Sequence, residues 1–138
     1  MKLLTYVNYP GNCAEAFQYY EKHLGGKIVF KMTHGEAPER RPGTIPGWEN
    51  AVLHARIDLG ETMLMGADIP EAEPMRSAYL SIMADGIDDA ERIFAALSDG
   101  GEVFMPIQET FFAVRFAQLR DKFGANWMIV TERPLPPQ

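Results

Sequence analysis

The sequence predicts an α+β fold built from two βαβββ modules, and three observations support this prediction. A helical pattern that ends on two glycines and continues into an apolar strand occurs twice, in residues 24–30 and 98–104. Gly26 and Gly101, within these segments, lie 75 positions apart in a chain of 138 residues, which indicates two halves built on one plan. Each half shows a strand pattern, a helical pattern and then three more strand patterns. A segment rich in proline and charge, 69–76, is predicted to link the halves.

The first module, residues 1–68, is predicted to begin with a strand over 3–9 that Pro10 interrupts. Asn12 follows, and its side-chain oxygen is expected to cap the next helix. The buried stripe of that helix is predicted from apolar residues at helical spacing: Cys13, Ala16, Phe17, Tyr20 and Leu24. Gly25 supplies the left-handed residue that ends the helix. The remaining strands of the module are predicted over 27–33, 51–59 and 62–66.

The second module, residues 77–133, repeats this order. Its helix is expected to begin at Asp88 or Asp89, and Pro106 indicates an edge strand or a bulge. The strands of the module are predicted over 78–84, 102–107, 110–120 and 126–131. The proline-rich segment 35–48 is predicted to be an irregular, mobile loop of the kind that often serves as a lid, and the tail 134–138 is expected to be loose.

Composition narrows the possible functions. A net charge of −6 and the lack of a basic stripe argue against nucleic-acid binding. The sequence contains no apolar run near the roughly 18 residues that a membrane helix needs, and its first residues do not resemble a signal peptide. A single cysteine, Cys13, excludes an internal disulfide framework. These features predict a cytoplasmic protein that uses neither a membrane nor nucleic acid as a partner.

Several motifs resemble one family over nearly the whole chain. They are Tyr9-Pro10-Gly11-Asn12-Cys13-Ala14-Glu15-Ala16, Leu53-His54-Ala55, Gln108-Glu109-Thr110-Phe111-Phe112-Ala113, Asp121-Lys122-Phe123-Gly124 and Trp127-Met128-Ile129. In this order they resemble the PhnB-like branch of the glyoxalase/bleomycin-resistance/dioxygenase superfamily, also called the vicinal oxygen chelate superfamily. The resemblance implies curved mixed sheets in the glyoxalase/bleomycin-resistance fold, a small-molecule pocket between the β-modules and a homodimer.

Enzymes of that superfamily hold a divalent metal with four strand residues, usually His and Glu. Laid over a glyoxalase I pattern, the four positions fall on Thr5, His54, Ser81 and Met128, of which only His54 is a strong ligand. Glu109, with Asp58 in reserve, is the other plausible donor. We therefore predict a pocket without the usual metal centre, and no cofactor is assigned. A bound divalent metal is the alternative, since a slip in the alignment would change the ligand set.

The resemblance also suggests site residues. His54 is the candidate catalytic residue because imidazole exchanges protons near neutral pH; the alternative is a half-buried histidine satisfied by a neighbouring hydroxyl. Besides Thr5, Ser81 and Met128, the predicted pocket includes Gln108, Glu109, Phe112 and Arg115. Strand-end polarity is the alternative explanation for Gln108 and Glu109. A surface salt bridge is the alternative to Arg115 clamping an anionic substrate.

Three functions follow from these predictions. The first is binding, with or without catalysis, of a small and largely apolar or aromatic molecule. The second is a metal-dependent lyase, isomerase or dioxygenase reaction. The third is antibiotic sequestration, as in bleomycin-resistance proteins. Methyltransferase activity, which is attributed to some PhnB-like proteins, is not expected, because the sequence lacks a glycine-rich strand–loop–helix motif for a nucleoside cofactor.

Overall fold

The computed structural model describes residues 1–38 and 45–134. In this part of the chain the strands are β1 (Thr5–Tyr9), β2 (Lys27–Thr33), β3 (Val52–Leu59), β4 (Thr62–Asp68), β5 (Leu80–Met83), β6 (Glu102–Gln108), β7 (Ala113–Arg120) and β8 (Asn126–Glu132). The helices are α1 (Cys13–Leu24) and α2 (Ile87–Ser98), and a short 3-10 turn spans His34–Glu36. The chain divides into two compact units, Met1–Glu73 and Pro74–Gln138, and their boundary falls inside the predicted linker.

The first unit is a four-stranded mixed sheet with one helix on one face. Its strand order is β1-β4-β3-β2, in which β1 runs parallel to β4 and the other pairs are antiparallel. The core of the unit lies between α1 and the sheet and includes Phe17 and Tyr20 of the helix with Val7, Tyr9, Ile57 and Leu64 of the strands. Burial of each large apolar side chain contributes about 1.5–3 kcal/mol, so this face of the sheet holds the unit together. The opposite face is called the open face below.

The second unit repeats this architecture, as the internal repeat predicts. Its strand order is β5-β8-β7-β6, again with one parallel pair, β5 with β8. Helix α2 packs its buried residues Ala90, Ile93 and Leu97 on the face of the sheet that carries Leu119, Trp127 and Ile129. The α+β fold class with two βαβββ modules is therefore confirmed.

The glycine pairs explain why the sequence shows this repeat. Gly25 and Gly100 both have φ 72°, the left-handed conformation that ends a helix with little strain only in glycine. The next glycine in each pair lies against the neighbouring strand. A Cβ on Gly26 would come 2.8 Å from the carbonyl oxygen of Asp58, and a Cβ on Gly101 would overlap the carbonyl oxygen of Arg120. The first glycine turns the chain and the second lets the new strand approach the sheet.

The start of α1 differs from the prediction. Asn12 occupies the N-cap position, but its side chain makes no capping hydrogen bond. The buried Asp68 at the end of β4 accepts instead: its Oδ1 receives the backbone N–H of Gly11 at 3.1 Å and of Cys13 at 2.8 Å. Its Oδ2 receives the N–H of Val52 at 2.8 Å. The predicted cap by Asn12 is therefore wrong, because a carboxylate from a distant strand satisfies these donors.

Other predicted elements shift by a few residues. Part of the segment 35–48 is ordered as the 3-10 turn, where Glu36 accepts hydrogen bonds from the N–H and hydroxyl of Thr33. Pro106 lies on β6, which is an edge strand with a register shift around it, as predicted. The middle of the predicted loop and most of the predicted tail lie outside the described residues. No helix in the described part of the chain is long and apolar enough to span a membrane.

Candidate functional site

One row of side chains crosses the open face of the first sheet. The backbone register places Tyr6 of β1 beside Met65 of β4, Met65 beside Arg56 of β3, and Arg56 beside Phe30 of β2. We call these four residues the first-sheet row. Tyr6 is 46% exposed and Phe30 is 44% exposed, so the row presents aromatic surface to solvent. Small-molecule sites are lined mostly by apolar and aromatic side chains with a few polar groups, and the row has this composition.

His54 lies on the same face and is hydrogen-bonded to this row. Tyr6 Oη is 3.2 Å from His54 Nδ1, although the two residues belong to strands on either side of β4. Partial burial of Tyr6, and secondarily its electrostatic interaction with Cys13, raises the pKa of the phenol, which keeps its proton at neutral pH. The phenol can therefore donate to Nδ1 when the histidine proton is on Nε2. The contact satisfies Nδ1 and directs the chemistry of the ring to Nε2.

Aromatic and thioether groups surround the imidazole. Its ring centroid lies 5.6 Å from that of Tyr6 with the planes 24° apart, and 5.8 Å from that of Phe30. Met32 of β2 is the register partner of His54, which puts the two side chains next to each other on the sheet. Rings fix the orientation of a flat ligand, and thioethers adapt to its outline. This arrangement can bind a planar molecule and offer it one hydrogen-bonding nitrogen.

Thr5 is placed away from His54. It pairs with the buried Leu64, which in turn pairs with the buried Ile57, so Thr5 lies on the helix side of the sheet. The next residue, Tyr6, lies on the open face, where Thr5 was predicted to be. The 75-residue spacing of the internal repeat indicates the position of Tyr6, because it makes Tyr6, and not Thr5, the equivalent of Ser81.

Ser81 and Met128 do come together, on the open face of the second sheet. They are register partners, and the row continues from Met128 to Gln118 and from Gln118 to Met105. We call these four residues the second-sheet row. It is the counterpart of the first-sheet row but lacks its phenol, its phenyl ring and its cation.

Gln108, Glu109 and Phe112, which were predicted to line the pocket, lie at or near the turn between β6 and β7. Gln108 ends β6 beside Phe116, and the ring of Phe112 packs on that of Phe116 with centroids 5.0 Å apart. Glu109 accepts a 2.8 Å hydrogen bond from Arg133, and this bond lowers the pKa of the Glu109 carboxyl group. Glu109 is thus held as an exposed, ion-paired carboxylate, which is a poor general base.

Arg115 forms a salt bridge, which is the alternative to clamping an anionic substrate. Its Nε donates to Oε1 of Glu91 on α2 at 3.0 Å, and Nη1 donates to the carbonyl oxygen of Val114 at 2.7 Å. Its register partner, Thr131, contacts the carbonyl oxygen of Gly86 just before α2. Arg115 therefore lies on the helix side of the second sheet, and the ion pair with Glu91 occupies its guanidinium group.

We expect Cys13 to react slowly with thiol reagents. Its side chain is fully buried, and burial, followed by the negative charge of Asp68, raises the pKa of the thiol to about 12. Almost none of it is the reactive thiolate at pH 8. Labelling with a disulfide reagent at pH 8 should be slow in the native protein and complete within minutes in urea. Rapid labelling of the native protein would contradict this burial.

The residues present do not fit the metal centre of the superfamily enzymes. Thr5 and His54 lie on opposite faces of one sheet, and Ser81 with Met128 offers a neutral hydroxyl and a soft thioether. Of the reserve carboxylates, Glu109 pairs with Arg133 at 2.8 Å, and Asp58 lies 3.7 Å from Arg56 in a looser contact. Within residues 1–38 and 45–134, no three His, Cys, Asp or Glu side chains group as a metal site.

Comparison with known proteins gives a family and a fold. The model of the Glyoxalase/Bleomycin resistance protein/Dioxygenase superfamily matches residues 2–129. Protein YjdN of Escherichia coli (strain K12) is 30% identical over an alignment of 147 positions that covers all of both chains.

Solved structures agree with this result. Protein PA1353 from Pseudomonas aeruginosa is 35% identical with a TM-score of 0.86, and the match covers 97% of this chain and 99% of that one. A PhnB protein from Bacillus cereus is 24% identical with a TM-score of 0.73 over 95% and 99% of the two chains, and it shares the fold. The resemblance noted in the sequence is confirmed: this chain belongs to the glyoxalase/bleomycin-resistance/dioxygenase superfamily, with PhnB-like neighbours.

Proposed function

We propose that this protein binds a small, planar, largely apolar molecule on the open face of its first sheet. The observation that carries the proposal is the hydrogen-bonded pair of Tyr6 and His54, 3.2 Å apart, stacked beside Phe30 on a solvent-exposed face. The contact also matches the alternative stated for His54, a half-buried histidine satisfied by a neighbouring hydroxyl. What favours a binding role is that the partner, Tyr6, is 46% exposed and Phe30 is 44% exposed on the same face. The predicted position of the pocket between the modules, and the predicted homodimer, stay predictions.

The roles of the side chains follow from their chemistry. Phe30 and the thioethers of Met32 and Met65 supply apolar contact, and Tyr6 orients the imidazole through Nδ1. Nε2 of His54 then donates to, or accepts from, a polar group of the ligand, depending on the tautomer. If the protein is an enzyme, His54 is the residue that we propose exchanges a proton with the bound molecule. The donor set favours binding without a metal.

A ligand-observed NMR screen of small aromatic fragments, in buffer with EDTA, tests this proposal. We expect fragments to bind the wild-type protein and to lose about tenfold in affinity in His54→Ala, the loss of one buried hydrogen bond and its ring contacts. Tyr6→Phe should lose less, because it removes only the group that orients the ring.

The control is Ser81→Ala, which changes the equivalent position of the second sheet and should leave fragment binding unchanged. If no fragment binds, or if binding appears only after zinc, nickel or manganese is added and vanishes in His54→Ala, the proposal is wrong.

A further inference from the structure

Arg56 lies inside the first-sheet row and takes no part in the contacts of His54 described above. It sits on β3 between Met65 and Phe30, on the face that carries Tyr6 and His54. The side chain is 42% exposed, so a ligand on this face can reach its cation. Its one ion-pair partner among the described residues is Asp58, two positions further along β3.

The hydrogen-bonding state of Arg56 is incomplete. Among the described residues its Nε has no hydrogen-bond partner, although the atom itself is shielded from solvent. Within residues 1–38 and 45–134 the ion-pair partner of Arg56 is Asp58, whose Oδ1 is 3.7 Å from Nε, beyond hydrogen-bonding distance. Asp58 is itself 47% exposed and has Lys27 as its register partner. A loose, exposed pair of this kind contributes little and exchanges readily for a better acceptor.

Comparison of the two units shows that only the first has a positive charge at the position of Arg56. The second-sheet row has Gln118 where the first-sheet row has Arg56, with a methionine, Met128 or Met65, beside each. The fold therefore accepts a neutral side chain at this position, and the guanidinium group is not needed to build the sheet.

We infer that Arg56 selects ligands that carry a carboxylate next to an aromatic or apolar ring. This inference rests on the binding site proposed above and names its ligand class. Nε is shielded in the unliganded protein, so a carboxylate has to displace Asp58 and shift the partly exposed side chain of Arg56. It can then accept two parallel hydrogen bonds from Nε and one Nη of the guanidinium group, which satisfies the unpaired Nε. The ring of the same ligand lies against Phe30 and the thioethers, within reach of His54. The carboxylate and the ring of the ligand then both contact complementary side chains on the open face of the first sheet.

A matched pair of probes tests the inference by titration calorimetry in low-salt buffer with EDTA. 2-Naphthoate and 2-naphthamide have nearly the same shape and differ in charge. We expect the wild-type protein to bind the carboxylate about tenfold more tightly than the amide. Arg56→Gln, which copies the second sheet, should abolish this preference and leave the affinity for the amide nearly unchanged.

Three further variants sharpen the test. Arg56→Lys keeps the charge without the planar fork and should retain only part of the preference. Asp58→Asn removes the competing carboxylate and should increase the preference several-fold. Arg92→Gln makes the same change in net charge on the exposed surface of α2 and should have no effect.

The outcomes separate the two proposals. If both probes bind equally, or if Arg56→Gln keeps the preference for the carboxylate, the inference about Arg56 is overturned while the proposed binding site stands. If neither probe binds the wild-type protein, both proposals fail.

Discussion

Asp68→Ala is expected to lower the free energy of unfolding by about 3–5 kcal/mol, a large part of the stability of a small domain. The buried carboxylate accepts three backbone N–H groups, from Gly11, Cys13 and Val52. These hydrogen bonds join the start of α1 and the start of β3 to the end of β4. Alanine leaves all three donors without this acceptor, and the N–H groups of Cys13 and Val52 are buried away from water. Urea unfolding followed by far-ultraviolet circular dichroism measures the loss.

Asn12→Ala is the matched control for this prediction. Asn12 holds the N-cap position, but its buried Oδ1 has no hydrogen-bond partner among the described residues. Its removal should change stability by less than about 0.5 kcal/mol, whereas a working cap would lose about 1 kcal/mol. If Asn12→Ala is the more damaging substitution, the cap predicted from the sequence is the real one and Asp68 has been given the wrong role.

Gly101→Ala is expected to destabilise the protein by about 2–3 kcal/mol through overpacking. The new Cβ would overlap the carbonyl oxygen of Arg120 and approach Cα of Asp121 to 3.1 Å. Both atoms belong to the backbone, so β6 can make room only by moving away from β7. The midpoint of thermal unfolding should fall accordingly. Gly26→Ala in the first unit should have the same sign of effect, because its Cβ would meet the carbonyl oxygen of Asp58.

Gly100→Ala separates this crowding from backbone strain. Gly100 has φ 72°, and a Cβ there would meet only the flexible side chain of Lys122, at 3.4 Å. The left-handed conformation alone should cost about 1 kcal/mol in alanine. A larger loss in Gly100→Ala than in Gly101→Ala would show that the close approach of β6 to β7 is less tight than described.

Local patterns predicted the regular elements well. The helix over 13–24 and the strand over 27–33 have the predicted bounds, because an apolar stripe and a left-handed glycine determine them within a few residues of sequence. The predictions of where strands begin and end were less accurate. β1 begins at Thr5, two residues later than predicted, since pairing with β4 begins there. β7 begins at Ala113 because Thr110 and Ala113 close a turn around Phe111 and Phe112.

Long-range contacts account for what the sequence did not predict. The cap of α1 comes from Asp68, which is 55 positions from Cys13, and no local pattern connects them. Tyr6 meets His54 only through the register of β1, β4 and β3, and a family pattern laid over the chain pointed to Thr5 in place of Tyr6. The repeat spacing, applied from Ser81, would have corrected this one-residue error. Arg56, by contrast, is two residues after His54 on β3 and shares its face through the alternation of side chains along a strand. No feature of the sequence marks Arg56 as a binding residue, because a single arginine in a strand pattern is ordinary.

We propose that the open face of the first sheet binds its ligand without a metal. Backbone amide NMR shifts during a titration with 2-naphthoate in EDTA test it most directly. We predict that the largest shift changes occur at Tyr6, Phe30, His54 and Arg56, with Ser81 and Gln118 unaffected. Changes confined to the second unit, or changes that need an added divalent metal, would contradict the claim.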